Sequence, residues 1–407
     1  MAQALAGLMI LDLSRYAPGP YCTMLLGDLG ADIVKVEEIG LPTGRRAEQM
    51  KGRNSIPPPP EFPPPDSPFD PLNRNKKSIR INLKAPEGQR IFHRLVERAD
   101  VVIEQFRPGV TKRLGIDYPT LEKLNRRLIY CAITGYGQDG PYRDLPGHDI
   151  TYLASAGVVA AVTLPGAPPL VPGNLIGDMA AGGMQAAIGI LAALAARERT
   201  GRGQFVDISM TDGAVSMLCL YLGRYFQSGP RYNPAEKSSC GAMHYYNHYE
   251  TSDGKFISIA CSEPWFFANL CRVLGCENFI PYQTDSGKNA EITAYFKQKF
   301  RTRIRDEWFD ILAKADVPAG KVNDFSELAE DPQIKHRRMI VDVDYPGGDR
   351  VRQTGISIKL SETPGEIRNC GAKPGENTEE ILVELGYSRD EIQRLRAAGI
   401  IAGGEKR

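Results

Sequence analysis

The sequence predicts an α/β protein: a large domain on a doubly wound, mostly parallel, Rossmann-like sheet, and a smaller α+β domain. Three observations predict it. Short apolar runs alternate with amphipathic segments from Leu8 to Ile133, the rhythm of a parallel sheet with crossover helices. The composition turns to Tyr, Asn, Ser and Pro near residue 225. The chain has 407 residues, 42% of them hydrophobic, enough for more than one core.

The elements follow in order. Leu8–Leu13 (LMILDL) reads as a buried strand. Tyr21–Leu29 has helical spacing and stops at Gly30. Ala31–Val36 and Ser78–Leu83 read as strands, and Pro86–Arg98 as an amphipathic helix with Pro86 at its start and Ile91, Phe92, Leu95 and Val96 on one face. Asp100–Glu104 and Leu128–Ile133 complete the strands. Residues 41–72, with IPPPPEFPPPDSPFDP, interrupt the pattern. This Pro-rich insertion cannot be a helix or a central strand and reads as a polyproline loop or flap. The expected domains are 1–224, 225–325 and a C-terminal return, 326–407, that ends in two amphipathic helices. Within the smaller domain, GKFISIACSEPWFFANLCRVLG reads as strand, turn and helix, and Ile292–Ala313 as two more helices.

Bulk composition excludes several function classes. With 50 basic and 49 acidic residues, no global field attracts nucleic acid or anionic lipid, so any phosphate binding is local. No secretory signal opens the sequence, and the apolar run around Ala186–Ala196 is too short to span a bilayer. The eight cysteines are scattered with no CxxC pair, as in a reduced, cytoplasmic protein. His244 and His248 are four apart, but MHYYNHYE reads as a strand, so no metal site is expected.

Four constellations carry chemistry. NRNKKS puts Arg74, Lys76 and Lys77 beside a strand, and QFRPGVTKRLG puts Gln105, Phe106, Arg107, Lys112 and Arg113 after the strand DVVIE. Basic side chains beside the N–H groups of a helix start bind phosphate, so the two clusters predict an anion site. No GxGxxG or Walker loop is present, which speaks against a dinucleotide or NTP. Asp178 follows Gly177 at the head of a small-residue helix. An acid there ordinarily caps the helix. This helix reads as too apolar for a surface, a layout that buries it and leaves the acid at a cavity edge as nucleophile or base. His148 lies in the loop LPGHDITYLASAG, and Glu263 ends an apolar strand before Pro264. A carboxylate bonded to an imidazole would hold its tautomer and raise its basicity. Backbone N–H groups at the Asp178 helix start, or around Gly135–Gly137, are candidate oxyanion donors. Tyr16, Met179, Met184, Trp265 and Phe266 are candidate linings of an apolar acyl pocket.

The motifs GLMILDLSRYAPGPYCTMLLGDLGADIVKVE, NRNKKSIRINLK, ADVVIEQFRPGVTKRLG, CAITGYGQDGPYRDLPGHDITYLASAG and NLIGDMAAGGMQAAIGILAALAARERTGRGQFVDISMTDG occur in this order. With them the chain resembles the superfamily of family III CoA-transferases and alpha-methylacyl-CoA racemases over nearly its whole length. The resemblance implies an interlocked dimer, with each subunit threading a ring formed by the other. It implies a CoA thioester as substrate on the large domain, no prosthetic group, and Asp178 as the catalytic aspartate. For a transferase it implies nucleophilic attack by Asp178, an aspartyl-CoA thioester and an acceptor carboxylic acid. For a racemase it implies Asp178 and His148 as an acid/base pair, with Glu263 supporting the histidine and Asn174 in the matching NLIGD segment. SIACSEPW stands in place of the multi-glycine loop of formyl-CoA-type transferases, and Glu38 where many relatives carry a basic residue or Pro. CoA transfer is the reading taken, with 2-methylacyl-CoA racemisation as the alternative. A further alternative is a substrate-binding or structural subunit of a heteromeric transferase.

Overall fold

A computed structural model describes residues 3–39, 67–164, 166–229, 232–233, 241–345 and 348–403. The chain divides into two units: unit 1 is Met1–Tyr152, Gly173–Ala214 and Pro332–Arg407, and unit 2 is Leu153–Pro172 and Val215–Asp331. The divisions thus fall near residues 214 and 331 rather than 224 and 325, and Leu153–Pro172 joins the second unit. The Pro-rich stretch lies mostly within residues 40–66, outside the described residues.

Unit 1 is built on β1 (Met9–Asp12), β2 (Asp32–Glu37), β3 (Lys76–Ile81), β4 (Val101–Glu104), β5 (Ile129–Thr134) and β6 (Phe205–Ser209). Their order is β3-β2-β1-β4-β5-β6, all neighbours parallel. The order reverses between β1 and β4, and such sheets bind ligands beyond the carboxyl ends of the strands there. A last two-residue strand, Ile401–Ala402, pairs antiparallel with β3 at the sheet edge.

Successive strand residues face opposite sides, so each strand feeds two cores. Leu11, Val34, Ile79, Ile81, Val102 and Tyr130 pack with Ile91, Phe92 and Leu95 of helix Pro86–Val96, which follows β3. The C-terminal helices Thr378–Glu384 and Arg389–Ala397 join this layer through Ile381, Leu382 and Ile392. On the other face Ile10, Ile33, Ile103, Ile129 and Cys131 pack with Cys22 and Leu26 of helix Pro18–Asp28 and with Ala186, Ile190 and Ala193 of helix Gln185–Thr200. The first helix starts three residues earlier than its spacing predicts, because Pro18 and Pro20 fit a first turn that needs no N–H donors.

Helix Gln185–Thr200 is not fully buried within the chain. Ile188 is 60% exposed and Leu191 37%, while the opposite side lies on β5 and β6. With the turn before it, this helix forms a continuous apolar stretch, Gly173–Thr200, long enough by length and composition to cross a membrane, contrary to the sequence expectation. It is a core helix of unit 1: Ala186, Ile190 and Ala193 are buried, and Arg197 is buried in an ion pair with Asp100 at 2.9 Å.

Unit 2 contains an antiparallel sheet of Tyr246–Glu250, Phe256–Ala260 and Ala319–Lys321. Helices Pro264–Leu274, Asn289–Phe300 and Arg305–Lys314 pack on it around Tyr249, Phe267, Phe296, Phe300 and Trp308. Among the described residues, Cys22, Cys131, Cys261, Cys271, Cys276 and Cys370 are buried and free, and Cys219 is exposed and free.

Candidate active site

The site lies in unit 1, where Asp178, Asp149 and Tyr152 meet. Asp178 is the third residue of a π-wound segment, Ile176–Met184, that continues into helix Gln185–Thr200. Such winding is rare and often marks a functional site. Small residues let the segment settle on the helix that follows β1. A Cβ on Gly182 would lie 2.8 Å from the Cβ of Pro18, and one on Gly183 2.8 Å from the Pro18 carbonyl oxygen.

The first N–H groups of any helix lack intrahelical acceptors. Leu175, at the capping position, offers no side-chain acceptor. Asp149, at the start of helix Asp149–Ser155, fills that role from outside. Its Oδ2 accepts the Asp178 N–H at 2.7 Å, and the Gly177 N–H also acts on this carboxylate. A Cβ on Gly177 would lie 2.5 Å from the same oxygen, so only glycine allows this approach. Asp178 therefore does not cap its own helix, and its carboxylate is left for chemistry. Burial, then the neighbouring Asp149 charge, pushes the Asp178 carboxyl up to about 6, against a hydrogen bond from Asn174.

Tyr152 lies in the same cluster. Gly135 and Gly147 flank it: a Cβ on either would lie 2.1 or 2.4 Å from its ring. Tyr136 packs edge-on at 5.1 Å between ring centroids. Burial raises the Tyr152 hydroxyl to about 12, with Tyr136 and Asp178 raising it further and Arg107 opposing. The loop after β4, which carries Arg107, is thus electrostatically linked to the cluster around Asp178. Gly135→Ala is expected to displace the Tyr152 ring and lower stability by about 1–3 kcal/mol, read by thermal unfolding. An unchanged midpoint would mean that the ring has room to move.

Other expected residues are placed differently. His148 is exposed; its carbonyl accepts from the Thr151 N–H at 2.8 Å and its N–H donates to the Thr151 hydroxyl at 3.0 Å. Glu263 is exposed in unit 2 and precedes helix Pro264–Leu274 without a side-chain capping bond. Trp265 is also in unit 2, 60% exposed. Tyr16 is exposed at a left-handed φ of 65° in the loop after β1.

The two basic clusters lie at opposite strand ends. Arg107 and Arg113 follow the carboxyl end of β4 and are exposed, Phe106 packs against the core, and Gln105 Oε1 is buried without a hydrogen-bond partner. Arg74, Lys76 and Lys77 lie at the amino end of β3. Buried Arg74 holds both oxygens of Asp28, at 2.9 and 2.5 Å. Buried Lys76 meets Asp12 at 3.1 Å and Thr23 at 2.6 Å. Lys77 pairs with Glu380 at 2.6 Å. Buried carboxylates neutralise Arg74 and Lys76, and the exposed Glu380 pairs with Lys77, so this first cluster is not free for a phosphate.

The expected oxyanion donors are also engaged. The Gly177 and Asp178 N–H groups go to Asp149, and the Gly137 N–H goes to the Thr134 hydroxyl at 2.9 Å. Sequence reasoning passed over Asp149 and Tyr152. The available signal was their spacing: three residues apart, they lie on one face of a helix.

A raised, half-buried carboxylate among glycines on a doubly wound sheet is a setting suited to acid/base or acyl-transfer chemistry. The chain belongs to CoA-transferase family III, whose profile matches residues 5–378. It is 33% identical to the succinyl-CoA–L-malate CoA-transferase beta subunit of Chloroflexus aurantiacus over 98% of each chain. It is also 33% identical to human alpha-methylacyl-CoA racemase, over 98% of this chain and 97% of the other. The crystal structure of a CAIB/BAIF family protein from Brucella suis matches with a TM-score of 0.79 at 30% identity, covering 95% of this chain and all (100%) of that one.

Proposed function

We propose that this enzyme moves CoA from an acyl-CoA donor to a carboxylic acid acceptor through Asp178. The observation that carries the reading is the Asp178 carboxylate: freed from capping, half-buried, and more basic than an ordinary aspartate. At neutral pH it is still largely ionised, and its raised basicity strengthens it as a nucleophile.

One Asp178 oxygen attacks the thioester carbonyl, and CoA thiolate leaves a mixed anhydride. The thiolate then attacks the aspartyl carbonyl, which releases the donor acid and forms an aspartyl-CoA thioester. The acceptor carboxylate displaces that thiolate, and the thiolate takes the new acyl group and frees Asp178. Gln105, Phe106, Arg107 and Arg113, on the loop after β4, hold the CoA moiety. Arg74, Lys76 and Lys77 do not share this role. An interlocked homodimer is supported by the apolar face that helix Gln185–Thr200 leaves exposed.

The test is to incubate enzyme with an acyl-CoA donor, quench with hydroxylamine and map the peptides. An Asp178 hydroxamate is expected; an unmodified Asp178 peptide defeats the transferase reading. The second reading, 2-methylacyl-CoA racemisation, is favoured by one observation. His148 immediately precedes Asp149, which holds the Asp178 N–H, so the imidazole lies on the segment hydrogen-bonded to the one that carries the carboxylate. If racemisation is the reaction, 2-methylacyl-CoA gains α-deuterium in heavy water and His148→Ala abolishes the exchange. For a transferase, His148→Ala leaves the hydroxamate intact.

A further inference from the structure

We infer that Asp149 is the positioning residue of this active site: it fixes the Asp178 main chain from a neighbouring helix and holds a second carboxylate beside it, so that the two acids titrate as a pair. The inference rests on the reading of Asp178 as the reacting group, and it assigns the neighbour a role of its own.

Three observations carry it. The first is the 2.7 Å bond from the Asp178 N–H to Asp149 Oδ2. Residues 149 and 178 come from separate stretches of unit 1, so this bond fixes where the π-wound turn sits. The second is Gly177, whose missing Cβ gives Oδ2 its access. The third is the other oxygen. Asp149 is only 7% exposed, yet its Oδ1 has no hydrogen-bond partner. A purely structural cap would have both oxygens satisfied, because an unpaired buried oxygen is costly. Here the donors are two main-chain N–H groups and no cation among the described residues acts on the carboxylate, so its charge is felt at Asp178. Burial raises the Asp149 carboxyl too, against the two backbone hydrogen bonds. The Asp149 charge is one of the causes that raise the Asp178 carboxyl, and carboxylates that interact in this way do not ionise independently.

The surrounding groups leave Asp149 as the principal partner. Helix Asp149–Ser155 adds Tyr152, which stays protonated at neutral pH, and the segment before the π-wound turn adds the neutral Asn174. His148 precedes Asp149 and is exposed. Arg107, from the loop after β4, acts on Tyr152. Tyr21, on the helix beneath Gly183, answers to its burial, then Arg74 and Asp28. Asp207 of β6 receives the Gln138 N–H at 3.1 Å.

The test separates charge from position. Asp149→Asn keeps an oxygen for the Asp178 N–H and removes the charge, whereas Asp149→Ala removes both. The first readout is the pH midpoint at which a carbodiimide and an amine label the protonated Asp178 carboxyl in the intact enzyme, mapped by mass spectrometry. Asp149→Asn is expected to move that midpoint down by about one pH unit. The second readout is turnover. Asp149→Ala is expected to lower kcat by more than about 10-fold through lost positioning, with Asp149→Asn recovering most of it and a KM within about 3-fold of the parent. Should Asp149→Asn fail to fold, Asp178→Asn tests the same pair from the other side, because coupling is reciprocal: the Asp149 labelling midpoint must then fall. A labelling midpoint unchanged by removal of its partner overturns the inference. Because labelling needs no substrate, it distinguishes this failure from that of the functional reading, which falls if the parent enzyme neither forms the hydroxamate nor exchanges the α-proton.

Discussion

Asp178→Asn is expected to lower turnover by at least about 10³-fold while making the folded protein more stable at neutral pH. The amide is nearly isosteric but is neither a nucleophile nor a base, so both chemistries lose their reacting group. The gain in stability follows from the sign of the shift. The Asp178 carboxyl titrates near 6 in the fold against an ordinary value of 3.8, so the folded state prefers the proton. Below 3.8 both folded and unfolded chains hold it, and there is no difference. Between 3.8 and about 6 the unfolded chain has released its proton and the folded chain has not, so stability falls as pH rises. Above that the loss is complete, up to roughly 3 kcal/mol. The asparagine variant escapes this loss. Urea unfolding at about pH 4 and about pH 8 measures it: the advantage of the variant must grow with pH, and a constant difference would show that the site does not disfavour the charge. Activity that disappears below about pH 6 is the matching kinetic result.

Arg74→Ala carries the largest expected loss of stability, about 3–5 kcal/mol, because it strands a buried carboxylate. Arg74 is 1% exposed and bonds both Asp28 oxygens and the Thr354 carbonyl. Without it, Asp28 keeps the Asn75 amide at 2.9 Å and the charge of Arg368, but no ion pair among the described residues. Burial already pushes the Asp28 carboxyl above its usual range despite the guanidinium. In the variant it rises further, so acid discharges the stranded group and the deficit shrinks as pH falls. Replacing both partners, Arg74→Met with Asp28→Leu, is expected to recover most of the loss. A double variant as unstable as the single one would mean that the pair itself, rather than the stranded charge, supports the fold.

The strands of unit 1 were legible where apolar side chains run without interruption. Met9–Asp12, Val101–Glu104 and Ile129–Thr134 have buried residues facing both ways, and such runs carry their own signal. The start of β3 was read two residues late because Lys76 and Lys77 are strand residues in a charged guise. The partner that makes Lys76 tolerable, Asp12, is 64 positions away. Remote pairing likewise misled the anion-site reading, since a basic run beside a strand does not announce its strand end or its internal carboxylates. Asp178 was legible from glycines and a small-residue helix. Its winding was not, and neither was its cap, which comes from Asp149, 29 positions earlier.

The strand Ile401–Ala402 seals the free side of β3, and unit 1 draws on three separate stretches of chain. On the ribosome, every residue of unit 2 emerges before that closing strand. Until it arrives, the nascent sheet carries an open template along β3, the kind of surface that recruits foreign strands. The unit that carries Asp178 is thus the last to be completed, and its vulnerable interval spans the synthesis of its neighbour.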